Sequence, residues 1–199
     1  MKPILTTLAF ILISFSGFSQ NTNAADNSAS QTSMQKEKEY EPEFKYGIRG
    51  AYNISNLDFT PAPTFENKHR NNIAIGGFVE YFPSETFSIL AELQYSAEGG
   101  AKDESLRVTY IQLPILFKYQ LSSKLAIGAG PQVGLKTWSY EDGIKNFAFS
   151  GVGGLEYMLS DSMFLDARYT YGLTNILDND SSFEARNTCI QLGIGLKLK

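Results

Sequence analysis

The sequence predicts an all-β protein, an eight-stranded antiparallel up-and-down β-barrel that spans a membrane. Three observations support this fold class. Apolar and polar residues alternate with a period of two in eight segments between Phe44 and Lys197, which is the pattern of strands with two unlike faces. Most segments have about ten residues, the length that a tilted strand needs to cross a bilayer. Short turns and longer polar loops alternate between them, as an up-and-down barrel requires.

The first part of the chain predicts export. Residues 1–19 contain one lysine, an apolar run from Ile4 to Phe18, and small residues at Gly17 and Ser19, which together resemble a secretory signal peptide. Residues 20–43 are rich in Asn, Ser, Ala, Gln, Lys and Glu. This composition buries too little apolar surface to order the backbone, so we expect a flexible periplasmic tail. Residues 44–199 then form the barrel as a single domain.

The eight predicted strands are justified by their apolar faces. Their bounds are 44–54, 72–82, 87–97, 106–119, 125–138, 146–159, 163–173 and 187–197. In that order, the apolar faces are Tyr46, Ile48 and Tyr52; Ile73, Ile75, Val79 and Tyr81; Phe87, Ile89, Ala91, Leu93 and Tyr95; Ile111, Leu113, Ile115, Phe117 and Tyr119; Leu125, Ile127, Ala129, Val133 and Leu135; Phe149, Leu155 and Tyr157; Leu165, Ala167, Tyr169, Tyr171 and Leu173; and Thr188, Ile190, Leu192, Ile194 and Leu196. Tyrosines near the strand ends resemble the aromatic girdles of membrane barrels.

The fourth strand has the clearest alternation and one anomaly. Its polar face carries Gln112, Pro114 and Lys118. A proline has no backbone N–H to donate to a neighbouring strand, and a closed barrel pairs every strand on both sides. We therefore expect a bulge or a missing hydrogen bond at Pro114.

The connections predict the topology. The short turns are 83–86, 121–124 and 160–162, whereas the longer loops are 55–71, 98–105, 139–145 and 175–186. In an outer-membrane barrel the short turns face the periplasm and the long loops face outward. Both termini of the barrel are then expected in the periplasm.

The polar face predicts a packed, ion-paired interior. It is largely Gly, Ser, Gln and Thr, and its few charges balance: Arg49, Lys118, Lys136 and Arg168 against Glu80, Glu92, Glu156 and Asp166. Lys197 is left out because it ends its strand. Lone charges in a narrow interior are costly, so these eight side chains are expected to form a lumen ion-pair network. Glycines on the same face leave room for the long side chains. A soluble lipocalin-like barrel with its apolar face turned inward around an apolar ligand is the alternative.

Several segments carry a family resemblance. Residues 110–119 (YIQLPILFKY), 128–134 (GAGPQVG), 153–157 (GGLEY) and 167–174 (ARYTYGLT) resemble the outer-membrane β-barrel domain of PorT-like proteins of Bacteroidetes. The resemblance covers residues 44–199. It implies an eight-stranded barrel in the outer membrane of a Gram-negative bacterium, and a secretion-related role is a hypothesis that rests on the resemblance alone.

The sequence offers no catalytic set. The single histidine, His69, lies between Lys68 and Arg70 in a loop, and the run from Asp178 to Ser182 lacks the glycine and distant glutamate of a helical calcium loop. We therefore expect neither an enzyme nor a bound cofactor or metal. The single Cys189 cannot form an internal disulfide and is expected to be buried.

The predicted function is a structural or interaction barrel with a plugged lumen. Lipid surrounds it, and a protein partner would bind at the extracellular loops or the periplasmic rim. The mild net charge of −4 gives no reason to expect nucleic acid. A narrow pore is the main alternative, and a membrane-embedded hydrolase or acyltransferase is the third.

Overall fold

The chain forms a closed β-barrel. The computed structural model describes residues 40–62, 68–100, 107–139, 143–177 and 184–198. These residues form eight strands, in order β1 (Glu43–Thr60), β2 (Arg70–Phe82), β3 (Phe87–Gly99), β4 (Arg107–Gln120), β5 (Leu125–Ser139), β6 (Phe147–Met158), β7 (Met163–Gly172) and β8 (Glu184–Leu198). Each strand pairs antiparallel with the next in sequence, and β1 closes the barrel against β8. The predicted fold class is confirmed.

Two sequence predictions lie outside the described residues. They are the signal peptide at 1–19 and all but the last four residues of the tail at 20–43. No helix in the described ranges is long and apolar enough to cross a membrane.

The predicted strand bounds differ most from the structure at β1 and β8. The prediction ends the first strand at Ile54, but β1 continues to Thr60 and stays paired with β8 as far as the Thr60–Glu184 pair. Ser55 and Asn56 are typical loop residues, yet Ser55 is fully buried on the inner side and Leu57 repeats the alternation two positions later. The pairing of β1 with β2 ends at Ser55 and Arg70. The β1–β8 ladder therefore extends past the β2 edge as a taller segment of the wall.

The two faces of the sheet have the assignment that the alternation predicts. Large apolar residues on the outer face are strongly exposed, for example Ile48 at 60% and Ile75 at 64%. Charged residues on the inner face are buried, for example Arg49 at 2% and Glu92 at 0%. This arrangement is the reverse of a soluble barrel that encloses an apolar ligand, and it matches a barrel whose outer face contacts lipid.

The interior is not uniformly polar, which corrects the sequence-based expectation. Two clusters of inward-facing apolar side chains fill parts of it. The turn-side cluster consists of Phe78, Leu90, Leu116, Val152 and Phe164. The loop-end cluster consists of Leu57, Val108, Tyr110, Ile144, Ile176 and Ala185. Leu90 and Leu116 are apolar residues on faces that are otherwise polar, so a pattern based on faces alone misses them.

Pro114 interrupts the β3–β4 ladder as expected. Gln112 pairs with Gln94 and Ile115 pairs with Ala91, but no pairing joins the strands at Leu113 and Pro114 between them. The register is the same on both sides of this gap, so the proline removes hydrogen bonds without adding a bulged residue. The register shift on β4 lies elsewhere, between Thr109 and Tyr110 on the β5 side.

The face assignment predicts a depth-dependent response to charge. Ile75 lies on the outer face near the middle of β2, and the replacement Ile75→Arg should lower the free energy of unfolding in lipid vesicles by about 2–4 kcal/mol. The matched control is Leu121→Arg, because Leu121 is exposed in the turn after β4 and a charge there should cost about 0–1 kcal/mol. Equilibrium urea unfolding measures both. Equal costs would contradict a lipid-facing Ile75.

Candidate functional site

The lumen near the short turns holds a ring of four alternating charges, here called the turn-end ring. It consists of Glu80 on β2, Lys118 on β4, Glu156 on β6 and Lys197 on β8. The Lys118 ammonium lies 2.7 Å from carboxylate oxygens of both Glu80 and Glu156. The Lys197 ammonium lies 2.8 Å from Glu80 and 2.5 Å from Glu156. Acid and base thus alternate around the barrel circumference, and each charge contacts two of opposite sign.

A second ring, here called the central ring, consists of Arg49, Glu92, Asp166 and Arg168. Arg49 Nε lies 2.7 Å from Asp166 Oδ2, and its terminal nitrogen lies 3.5 Å from Glu92. Arg168 bonds to Glu92 at 2.6 Å and to Asp166 at 2.8 Å. All four side chains are at most 4% exposed. Because the ring is neutral in total and each charge has two partners, the cost of removing it from water is offset.

Glycines provide the space for these rings. A Cβ atom on Gly193 would collide with Asp166 Oδ1 and would lie 2.8 Å from the Arg49 guanidinium. A Cβ on Gly128 would lie 2.8 Å from the Lys118 side chain. Between the two rings remains a cavity of about 20 Å³, bordered by Lys118, Glu156 and Arg168 among others. That volume suits about one water molecule.

A hydrogen-bonded chain leads from the central ring toward the loop end. Arg49 donates to Gln94 Oε1 at 3.4 Å, Gln94 donates to Gln112 Oε1 at 2.8 Å, and Gln112 donates to Glu98 Oε1 at 2.8 Å. Ser96 also donates to Glu98 at 2.8 Å, and Asn187 donates to its other oxygen. Glu98 is 1% exposed. Among the described residues its carboxylate has three neutral donors and no ion pair.

The structure brings together seven of the eight residues predicted for the network. They are Arg49, Glu80, Glu92, Lys118, Glu156, Asp166 and Arg168. The prediction was wrong for Lys136, which lies outside both rings. Its ammonium donates to the backbone carbonyl of Ile144. Lys136 has the inward parity, but it lies near the loop end of β5, next to the segment that follows the third long loop. The alternation along a strand shows which face a residue lies on, but it does not show how far along the barrel axis the residue lies.

Two buried charges were missed by sequence reasoning. Lys197 completes the turn-end ring, although its position at the end of a strand excluded it. The sequence does show that Lys197 lies on the same face of its strand as Gln191, Gly193 and Gly195. Glu98 was placed at the start of a loop, but β3 continues to Gly99 and keeps Glu98 on the inner face with Gln94 and Ser96.

The remaining candidate positions from the sequence are His69, Cys189 and the run from Asp178 to Ser182. His69 is exposed and forms an isolated bridge with Gly100. Cys189 is free and 1% exposed. The run from Asp178 to Ser182 lies outside the described residues. Within the described ranges, no group of three or more His, Cys, Asp or Glu side chains is placed to hold a metal ion.

Comparisons with known proteins match the barrel fold. The family model described as an outer membrane protein beta-barrel domain matches residues 18–178. Among solved structures, Ail, the attachment invasion locus protein of Yersinia pestis, has a TM-score of 0.51 and 14% identity, with 78% of this chain and 99% of Ail covered. Neisserial surface protein A has a TM-score of 0.51 and 12% identity, with 80% of this chain and 100% of that protein covered. No curated protein matches in sequence.

The close approach at Gly193 generates a stability prediction. Gly193→Ala should lower the free energy of unfolding by about 1–3 kcal/mol, because the new methyl group displaces members of the central ring. Gly50→Ala is the control: Gly50 lies on the neighbouring strand with nothing within 4 Å of the added Cβ. That change should be neutral or should stabilise by about 0.5–1 kcal/mol. Urea unfolding of the refolded barrels measures the difference, and equal stabilities would argue against a tightly packed ring.

Proposed function

The chain belongs to the outer membrane protein beta-barrel domain family, and from this premise we propose that it acts as an interaction barrel whose lumen does not conduct. It is a small eight-stranded barrel of the outer membrane, with a fold similar to those of Ail and neisserial surface protein A. In this proposal the barrel wall is an anchor, and the protein acts through the parts that project from the membrane.

The filled lumen is the observation that carries the proposal. Two neutral rings of buried charges and two apolar clusters occupy it between the turns and the loops. Fixed charges that are paired with each other offer no binding sites to mobile ions. In addition, side chains nearly fill the interior of an eight-stranded barrel. A narrow pore would need an open path that is lined by unpaired polar groups.

The shape of the loop-end rim supports a role in binding. The β1–β8 ladder rises beyond β2, and it carries polar side chains such as Asp58 and Arg186 opposite each other. Tyr171 donates to Asp58 at 3.2 Å across the outer surface. A raised, hydrogen-bonded edge offers a partner a rigid surface at low entropic cost. The resemblance to PorT-like proteins makes a secretion component one candidate partner, on the basis of resemblance alone.

We further propose that the polypeptide is exported by its signal peptide and that both ends of the barrel lie in the periplasm. The three turns that join β2 to β3, β4 to β5 and β6 to β7 then face the periplasm, and the loop end faces outward. The even number of strands supports this arrangement, because an even count brings both ends of a barrel to the same side.

The plugged lumen predicts an absence of conductance. Purified barrel in a planar bilayer should give no steady single-channel steps, whereas a general porin reconstituted in the same way should give them. Heat-modifiable migration on gels verifies that the barrel is folded in the same preparation. Stable steps at constant voltage would overturn the proposal in favour of the pore.

The proposed orientation predicts selective labelling. In intact cells, a membrane-impermeant maleimide should label Thr60→Cys at the loop end but not Ser122→Cys in the turn after β4. The unmodified protein is the control, because its Cys189 is buried. Both positions should react after the cells are broken. Labelling of Ser122→Cys alone in intact cells would invert the topology.

A further inference from the structure

Lys136 binds a backbone segment near the loop end of β5. Its ammonium donates to the carbonyl of Ile144, and its backbone N–H donates to the carbonyl of Asn146 at 2.8 Å. Ile144 lies in the connection between β5 and β6, and it is almost completely buried. The carbonyl of a buried residue needs a hydrogen-bond donor. The Lys136 side chain supplies that donor from the inner face of the wall.

A second segment, which follows β7, pairs with the first. Ile144 forms a β-bridge with Leu177, and the backbone N–H of Lys145 donates to the carbonyl of Ile176 at 2.7 Å. Ile176 in turn donates its N–H to the carbonyl of Ala185 on β8 at 2.9 Å. The two segments thus form one small hydrogen-bonded unit that is attached to both sides of the wall.

This unit, residues 143–146 and 175–177, is here called the loop-end lid. It contributes the side chains of Ile144 and Ile176 to the loop-end cluster, and both are buried there. The other members of the cluster come from β1, β4 and β8. Because these strands stand on different sides of the barrel, the cluster spans the loop-end mouth. The lid therefore closes the lumen at this end.

Asn175 attaches the second half of the lid. Its Oδ1 accepts hydrogen bonds from the backbone N–H of Leu177 at 3.0 Å and of Ala185 at 2.9 Å. Asn175 thus joins the lid to β8, as Lys136 joins it to β5. Each half of the lid is held to the wall by a polar side chain as well as by backbone hydrogen bonds.

The inner face of β8 below the lid carries a chemical reporter. Ala185, Asn187 and Cys189 follow each other on this face at intervals of two residues, and all three are buried. Ala185 belongs to the loop-end cluster, so Cys189 lies deeper in the lumen. Cys189 is the single cysteine of the chain. Its thiol therefore reports whether water and small solutes pass the lid.

We propose that Lys136 is the positioning residue that holds the loop-end lid closed over the lumen. A hydrogen bond from a charged donor is stronger than one from a neutral donor, and its loss leaves the Ile144 carbonyl unsatisfied beside an apolar cluster. The segment then satisfies this carbonyl by turning toward water. Gly143 provides a hinge, because its φ is 107° and a Cβ there would meet nothing within 4 Å. This movement breaks no pairing between the eight strands.

The test is hydrogen exchange of the lid amides in the refolded barrel. In Lys136→Met, which keeps an apolar stem, the amides of Lys145 and Ile176 should exchange about 10- to 100-fold faster than in the unmodified protein. Lys136→Arg keeps a cationic donor and should restore most of the protection. Lys145→Met is the matched control, because it removes a charge from the lid while the contact of Lys145 with Ile176 is made by the backbone. It should leave the exchange unchanged.

The thiol of Cys189 gives a second readout. A small, permanently charged methanethiosulfonate does not cross the lipid, so it should modify Cys189 about 10- to 100-fold faster in Lys136→Met than in Lys145→Met. Asn175→Ala loosens the other half of the lid and should have the same effect, so it serves as the test if Lys136→Met does not fold. Migration on gels before and after heating verifies the fold of each variant.

Two results would overturn the proposal. One is exchange and thiol modification at the level of Lys145→Met in the folded Lys136→Met and Asn175→Ala barrels. The other is faster exchange of the strand amides, such as that of Ile194, to the same extent as the lid amides, because it would indicate a general loss of stability. The inference rests on the closed lumen of the proposed function. The two fail separately, because conductance of the unmodified barrel contradicts only the closed lumen.

Discussion

The pairing of opposite charges in the two rings is the constraint on which the rest of this structure depends. An eight-stranded barrel encloses a lumen too narrow for bulk water, so the charges of the rings are stabilised by counter-charges on other inward-facing side chains. The turn-end ring meets this requirement with one charge from each even-numbered strand. Because each charge contacts two of opposite sign, a slip in the register of any one strand would break two ion pairs. The rings therefore help to specify the register of the closed sheet.

The rings also determine where the inner wall of the barrel needs glycine. The charged side chains of the rings need space beside their own strands, and this space is supplied by glycines on the adjacent strands: Gly128 is paired with Lys118, and Gly193 with Asp166. The turn-side apolar cluster fills space beside the rings, because Leu90 is paired directly with Glu80 and Phe78 with Glu92. A strand glycine lacks a side chain to pack and has a cost in conformational entropy. Here the closed sheet and the packed rings compensate for that cost.

The sequence was sufficient to predict the strands, the two faces and seven of the eight network residues, because period-two alternation is a local property of each strand. It was insufficient wherever the height of a residue mattered. Lys136 and Lys118 share the inward parity, yet only Lys118 lies level with acidic partners. Glu98 and Lys197 stand near the ends of their strands, and the sequence does not show whether a strand continues past its last clear alternation. Strand ends depend on pairing with neighbours that are distant in sequence, as the extension of β1 along β8 illustrates.

The difference between the middle of the barrel and its ends also matters for function. A barrel whose interior is closed by its own fixed charges can act on other molecules only through its outer wall and its two rims. The outer wall is apolar on all eight strands, and lipid contact requires no more than that. The turn-end rim is short, whereas the loop-end rim is taller on the β1–β8 side. Under the proposed topology, the features that exceed what a stable membrane anchor needs are thus concentrated at the outward-facing end.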